Sequence, residues 1–394
     1  MTNRERLLVN WVYYNPIGHA IEGFRVADGY RNAHPDMEIG VMINAAAGPE
    51  LAECLPQIDH VYPVDVLEFT KPNGPYHGFE QVPQDWDYVF TDPRHDNPMG
   101  WDALDRCERE FRAYVRGRVL SKGYRIEGLS GKSRPLVLHL PDRAKEFATD
   151  FITVSAPVRI SLLFGSGTEA SRTPPTTFWR TLIEALSIEF PGVEIALLGA
   201  FKRGQGRSRT EGVTPEDIAG LEAAYPQVRD MFDKGLLNQL AICETCDLHI
   251  SPHTGMSFAV QSVGVPWLCL TGGGTVETLF NGVPFISLFP TCERHPCHHP
   301  GYVTDPDRAK LPECVGRNKT NEPYLCQSED ALTARMGEII EAAGRLIRSE
   351  ISFHECLYQY QRKFQLRLGW KEDDWNFDGG RALLESDYIF RRQS

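Results

Sequence analysis

Long apolar runs are missing from this chain. Its first apolar stretch, Leu7 to Tyr14, falls far short of the ~20 residues a membrane helix needs, and no small-residue cleavage site follows it. Positive charge is also in short supply: 41 Lys and Arg stand against 53 Asp and Glu, a formal net charge of -12. Broad binding to nucleic acid or to an anionic membrane needs the opposite excess, so neither is expected as a partner. A local basic pocket for a phosphate is still allowed. There is no low-complexity tract and no short-period repeat. The 10 cysteines are scattered rather than packed into a small disulfide scaffold, and a reduced, cytoplasmic setting fits them best.

What is present is an ordinary globular balance, 42% hydrophobic and 24% charged over 394 residues. At ~100–200 residues per domain this length suggests two domains. Short apolar runs alternate with longer amphipathic ones. Leu7–Tyr14, Glu38–Ile43, His60–Tyr62, Tyr88–Thr91 and Leu136–Leu140 read as strands. Ala20–Asn32 and a short piece near Pro49–Leu55 read as helices, and Trp101–Leu120 is rich in helix formers. A second series has strands at Val158–Phe164, Val193–Leu198, Leu248–Ser251 and Trp267–Leu270. Its helices are Thr176–Phe190, Leu236–Thr245, Ser257–Val263, Glu329–Arg348 and Phe353–Leu368. Asp142 to Pro157 shows no strong strand and reads as the linker. Strand–helix alternation implies parallel sheets, which bind ligands in the loops after the carboxyl ends of their strands.

Three such loops carry chemistry. The first is Asn15-Pro16-Ile17-Gly18-His19, after the first strand. Gly18 permits close approach, and His19 at the helix start reads as a general base or as a simple cap. The second is Phe164-Gly165-Ser166-Gly167-Thr168, followed by Arg172 and by Pro174-Pro175 opening a helix. Glycine, hydroxyl and one arginine before a helix make a diphosphate cradle, although Gly-Ser-Gly also occurs in ordinary turns. The third is Ser251-Pro252-His253-Thr254-Gly255-Met256-Ser257. A Thr-Gly-X-Ser turn at a helix start offers free N–H donors and the positive end of the helix dipole, or it is a plain capped strand–turn–helix.

These residues resemble a family. Ser-Pro-His-Thr-Gly-Met-Ser-Phe-Ala followed by Gly264-Val265-Pro266 is similar to the diphosphate signature of heptosyltransferase-like glycosyltransferases, glycosyltransferase family 9. That signature reads Asp-Thr-Gly, a small or polar stretch, Ala-Ala, then Gly-Xaa-Pro. Arg172 to Arg180 looks like the family's Lys-Xaa-Trp-Pro segment, with Arg172 in the place of the lysine. Leu7 to His19 looks like its opening strand and Gly-Asp loop, and His34-Pro35-Asp36 also fits. Two departures matter. The Gly-Asp becomes Gly18-His19, similar to the Gly-His loop of small-molecule transferases in which histidine is the base. The Asp-Thr-Gly becomes His253-Thr254-Gly255, which removes a negative charge beside the expected phosphates.

The resemblance implies an α/β fold of GT-B type, two Rossmann-like domains facing across a cleft. Residues 1–150 would bind the acceptor. Residues 151–348 would bind the nucleotide sugar, with a Cys-rich insertion over 291–326, and 349–394 would be C-terminal helices packing back on the first domain. The implied enzyme moves a sugar from a nucleoside-diphosphate donor to a small soluble hydroxyl or thiol acceptor, as in natural-product biosynthesis. His19 would be catalytic, with Asn15 and Gly18 in the acceptor loop. Gly165, Ser166, Arg172, His253, Thr254, Gly255, Met256 and Ser257 would hold the donor. No cofactor or metal is required, because helix N-termini and Arg172 can stabilise the leaving diphosphate. The rivals are a lipopolysaccharide-core or other surface-glycan transferase, a nucleotide-sugar epimerase and a non-catalytic nucleotide-sugar binding protein. Oligomeric state is left open.

The cysteines are read conservatively. Cys292, Cys297, Cys314 and Cys326, with His295 and His298-His299, have no tight Cys-X-X-Cys knuckles, so packing thiols are expected rather than zinc. Cys243 and Cys246 are three apart on an expected helix, which a buried face explains without redox chemistry. Asp373-Asp374-Trp375-Asn376 and Trp86-Asp87-Tyr88 read as a solvated turn and a strand start.

Overall fold

The computed structural model describes residues 4–12, 16–65, 79–91, 102–120, 134–152, 155–165, 170–201, 209–272, 280–297 and 310–368. The chain divides after His139 into two compact units.

The first unit is built on a parallel sheet of order β3-β2-β1-β4-β5. Its strands are β1 (Arg6–Trp11), β2 (Glu38–Asn44), β3 (His60–Val64), β4 (Asp85–Thr91) and β5 (Arg116–Leu120). Helices α1 (Ile17–Ala33) and α2 (Asp102–Tyr114) accompany it. Leu7, Leu8 and Val9 of β1 are all fully buried, as a central parallel strand covered on both faces requires. Leu8, Met42, Val89 and Phe111 share one core cluster. Trp11 stacks on Phe90 at 6.1 Å, and Tyr30 of α1 tilts against Phe90 at 5.8 Å. Gly23 makes this packing possible, because a Cβ there would sit 2.8 Å from the Trp11 side chain.

The second unit carries a sheet of order β11-β10-β9-β6-β7-β8, again parallel throughout. The strands are β6 (Arg159–Leu163), β7 (Glu194–Leu198), β8 (Val228–Asp230), β9 (Leu248–Ser251), β10 (Trp267–Cys269) and β11 (Phe285–Ser287). Helices α3 (Asp142–Phe151), α4 (Thr176–Glu189), α5 (Pro215–Ala224), α6 (Leu236–Glu244) and α7 (Gly255–Gln261) precede or connect them. Then come α8 (Pro312–Thr320), α9 (Glu329–Thr333), α10 (Met336–Ile347) and α11 (Phe353–Leu368).

Three features differ from the sequence reading. Leu136–Leu140 is not a sheet strand; Leu136, Leu138 and Leu140 are buried in alternation, and His139 N–H donates to the Cys54 carbonyl at 2.8 Å. The expected linker forms α3, which packs on α6 and buries Ala144 and Ala148. Glu329–Arg348 is two helices rather than one. The α11 helix lies against β11 of the second unit. The Phe285 N–H donates to the Cys356 sulfur at 3.3 Å, Lys363 Nζ donates to the Ser287 carbonyl at 2.9 Å, and Tyr360 meets Phe285 edge-on. The Asp373–Asn376 turn lies outside the described residues.

Candidate functional site

In an open parallel sheet the ligand crevice forms where the strand order reverses. In the first unit that point falls between β1 and β4, and the loop after β1 opens α1. Asn15 lies outside the described residues. Pro16 caps α1 with extended backbone, and Gly18 is buried. His19 is one quarter exposed, and its Nδ1 lies 3.4 Å from Oε2 of Glu22, whose side chain is 4% exposed. The indole N–H of Trp11 donates to the same Oε2 at 3.2 Å. Residues three apart on a helix are neighbours, so the His19–Glu22 pair was within reach of sequence reasoning. The Trp11 contribution was not.

In the second unit the order reverses between β6 and β9. The loop after β6 begins with Gly165; Ser166 and Thr168 lie outside the described residues. The reason for glycine at 165 is internal packing. A Cβ there would sit 2.3 Å from Thr173 Oγ1 and 3.1 Å from the Glu211 carbonyl. Thr173 Oγ1 itself donates to that carbonyl at 2.9 Å. Arg172 ends a short 3-10 turn, Ala170–Arg172, and is half-buried. That turn is anchored from the Cys-rich segment: Ser171 Oγ donates to Asn318 Oδ1 at 2.8 Å, and the Tyr324 N–H donates to the Ser171 carbonyl at 2.8 Å.

The loop after β9 opens α7. Thr254 is the N-cap, and its hydroxyl oxygen accepts the Ser257 N–H at 3.4 Å. His253, Gly255 and Met256 are half-buried, and His253 meets the Phe258 ring edge-on at 5.4 Å. Ser257, read from the sequence as a donor contact, turns inward and is fully buried. Its hydroxyl lies 3.1 Å from His249 Nε2, 2.7 Å from Ser251 Oγ and 3.1 Å from Thr254 Oγ1. Beneath it, His249 Nδ1 is 2.9 Å from Ser161 Oγ, and the Trp267 indole N–H donates to Ser251 Oγ at 2.8 Å. Ser161, His249 and Trp267 are register partners on three adjacent strands, so they share one face of the sheet. Sequence reading missed this column. Its only trace is the polar pair His249 and Ser251 at spacing two in an apolar strand.

Burial holds the His249 imidazole far below the ordinary histidine range, from 6.5 down to about 3. The folded state therefore keeps it neutral where the unfolded chain takes up a proton. That stability is fully present above pH ~6.5 and is lost as pH falls towards ~3, with a slope of up to about 1.4 kcal/mol per pH unit. Urea unfolding between pH 7 and pH 4 should show this extra acid sensitivity in the wild type, and His249→Gln should lack it. Identical pH slopes in the two proteins would contradict the assignment.

The Cys-rich segment borders the carboxyl ends of the second sheet. Gln327 Nε2 donates to the Leu270 carbonyl at 3.0 Å and fills the space a Cβ on Gly272 would need. Cys292, Cys297, Cys314 and Cys326 line one small cavity together with His295 and Lys310, a convergence that their spacing did not announce. Burial first, then the neighbouring Cys292 and Cys314, push the Cys297 thiol up to about 11. Among the described residues no three His, Cys, Asp or Glu are arranged to hold a metal ion; His298 and His299 lie outside them. Cys243 and Cys246 sit on and just after α6, and burial raises both thiols, Cys243 to about 12. Thiols held protonated in this way are poor nucleophiles.

No protein-family model and no curated protein matches the chain. Solved structures do. The glycosyl transferase family 9 protein from Veillonella parvula DSM 2008 is similar with a TM-score of 0.54 at 15% identity, covering 89% of this chain and 99% of that one. E. coli ADP-heptose lps heptosyltransferase II is similar with a TM-score of 0.53 at 13% identity, covering 88% and 99%. The fold is the GT-B fold of family 9 glycosyltransferases. In this GT-B frame both switch-point loops open helices, so each presents helix-start N–H groups of its own unit. Among the described residues no helix is long and apolar enough to cross a membrane.

Proposed function

We propose that the chain is a nucleotide-sugar-dependent glycosyltransferase that holds a nucleoside-diphosphate sugar on its second unit and an acceptor on its first. The observation that carries this reading is the α7 start. Thr254, Gly255 and Met256 follow the carboxyl end of β9, and Gly165 and Arg172 follow the carboxyl end of the adjacent, parallel β6. An anionic diphosphate is stabilised there by helix N–H groups and by one guanidinium. His253 adds a ring N–H donor where the family pattern has a carboxylate. Ser257 supports the turn from below, and Gly165 lets Thr173 pack close behind the loop after β6. His19 takes the acceptor proton, with Gly18 leaving room beside it. The scheme asks for no metal, because the leaving diphosphate is stabilised by these groups.

One structural neighbour is named for ADP-heptose and lipopolysaccharide, which makes ADP-heptose the first donor to try. The acceptor is a small soluble hydroxyl or thiol compound, as in natural-product biosynthesis; a surface-glycan acceptor is the other outcome of an acceptor screen. An epimerase would need no acceptor, and a binding protein would turn nothing over.

A thermal-shift screen across nucleoside diphosphates tests the donor site, since a ligand that binds the native state raises its melting temperature. Arg172→Ala should weaken the selected diphosphate by roughly 1.5–3 kcal/mol, about 10- to 150-fold, through loss of a charge-assisted hydrogen bond. Isothermal titration measures this directly. Absence of binding by every nucleoside diphosphate, or binding indifferent to Arg172, would overturn the reading.

A further inference from the structure

His19 and Glu22 sit one turn apart on α1, with Trp11 of β1 beside them. Glu22 is a carboxylate-bearing residue with almost no solvent contact, 3% exposed, in a sheet–helix interface of aromatic rings. A carboxyl group placed there needs donors. Two converge on one oxygen. The indole N–H of Trp11 donates to Oε2 at 3.2 Å, and His19 Nδ1 stands 3.4 Å from that same oxygen. Trp11 can only donate, so Oε2 is an acceptor, and the matching partner is an imidazole with its hydrogen on Nδ1.

We propose that Glu22 is a positioning residue that fixes His19 as the Nδ1–H tautomer, leaving Nε2 as the proton acceptor, and that this pair is built for a hydroxyl rather than a thiol acceptor. The inference rests on the glycosyltransferase reading above. A free imidazole favours its hydrogen on Nε2, which would leave no lone pair there for a substrate. The acceptor at Nδ1 reverses that preference. It also stabilises the imidazolium that forms once a proton arrives, the role a buried carboxylate plays behind a catalytic histidine.

The step balances as follows. The acceptor oxygen forms a bond to the anomeric carbon of the donor. Its hydroxyl proton passes to His19 Nε2. The bond from the anomeric carbon to the diphosphate oxygen breaks, and the diphosphate leaves with the electron pair. A thiol, with a pKa of ~8.5, is already partly ionised near neutral pH and gains little from such a base. A hydroxyl is not ionised and gains much. A buried carboxylate behind the histidine is therefore informative about the acceptor.

The test uses the full chain labelled with nitrogen-15 histidine, at pH 8 and without ligand. The chain has 12 histidines, so the His19 signals are assigned by their loss in His19→Gln. The wild type should show a protonated Nδ1 and an unprotonated Nε2 at His19. Glu22→Leu should shift the population towards the Nε2–H form, and Trp11→Phe should leave the Nδ1–H form in place. A wild type with its hydrogen on Nε2 overturns the proposal, and that readout needs no change at the buried Glu22 or Trp11: the one variant it uses, His19→Gln, alters a partly exposed side chain. It also needs no donor, so its failure is separate from failure of the nucleotide screen. For acceptor class, wild type and His19→Ala are compared on paired hydroxyl and thiol acceptors with the donor that the screen selects. A large loss confined to the hydroxyl supports the assignment. Turnover of the thiol alone by wild type overturns it.

Discussion

His19→Ala is expected to lower turnover of a hydroxyl acceptor by ~10²–10⁴-fold while donor affinity barely changes. The reason is local. An acceptor hydroxyl becomes a competent nucleophile only as its proton leaves, and His19 is the proposed proton acceptor, set at the opening of α1 after the central strand of the first sheet. Removing the imidazole removes the proposed base and leaves unchanged the α7 start and Arg172, the proposed donor groups of the second unit. Donor affinity should therefore hold. Steady-state turnover together with calorimetric donor binding makes the comparison. His19→Ala should lower the melting temperature only modestly: the side chain is partly exposed and its removal opens no core cavity, but it takes one donor from the buried Glu22 carboxyl. Full turnover of a proven hydroxyl acceptor by His19→Ala would remove His19 from the mechanism, and Glu22 would become the next base to test.

Trp179→Ala should cost about 3–5 kcal/mol of stability, the range for deleting a fully buried aromatic. Trp179 of α4 has no solvent exposure. Its ring stacks on Phe164 at 4.7 Å and meets Phe178 at 5.5 Å, and its indole N–H donates to the Pro174 carbonyl at 3.2 Å. Loss of the ring leaves a cavity directly under the residue preceding Gly165, and it strips the Pro174 carbonyl of its donor. For a unit of this size the melting temperature should fall by on the order of 10 °C. Trp179→Phe keeps most of the volume and should lose much less. Donor binding should weaken along with stability, because the Phe164–Gly165 backbone rests on this ring. A melting temperature unchanged in Trp179→Ala would show that the α4–β6 packing does not support the second unit.

Elements with strong local signals were legible. Leu7 to Trp11 is a run of apolar residues bounded by polar ones, and it is the central strand of the first sheet. The α4 helix begins where Pro174-Pro175 ends, as proline in and before a first turn predicts. The α3 helix was missed because its buried face is made of Ala144 and Ala148, which hardly register as hydrophobic. The α5 helix was missed despite a readable cap, Thr214-Pro215-Glu216-Asp217, whose two reciprocal hydrogen bonds form a capping box. The three-residue strands β8 and β11 carry too few positions for an alternating pattern to emerge.

The candidate site divides along the same line. That a helix starts at Thr254, and another just after Pro16, is decided by residues within a few positions of each turn, so the sequence by itself determined both. It also determined the alternation of strands and helices, because side-chain period and turn chemistry act over short distances. Only the tertiary structure decided which way each polar group faces. Ser257 points into the sheet because His249, Ser251 and Thr254 wait there, one strand and one turn away. Gly165 is glycine because Thr173 occupies the space a side chain would fill. Glu22 is a partner of His19 by helix spacing, but it is held as an acceptor by Trp11 from the neighbouring strand. The four cysteines meet only because α8 and the loops around it bring Cys292, Cys297, Cys314 and Cys326 to one cavity. Each of these depends on residues brought together from different elements, and no local periodicity encodes the direction in which a buried hydrogen bond is satisfied.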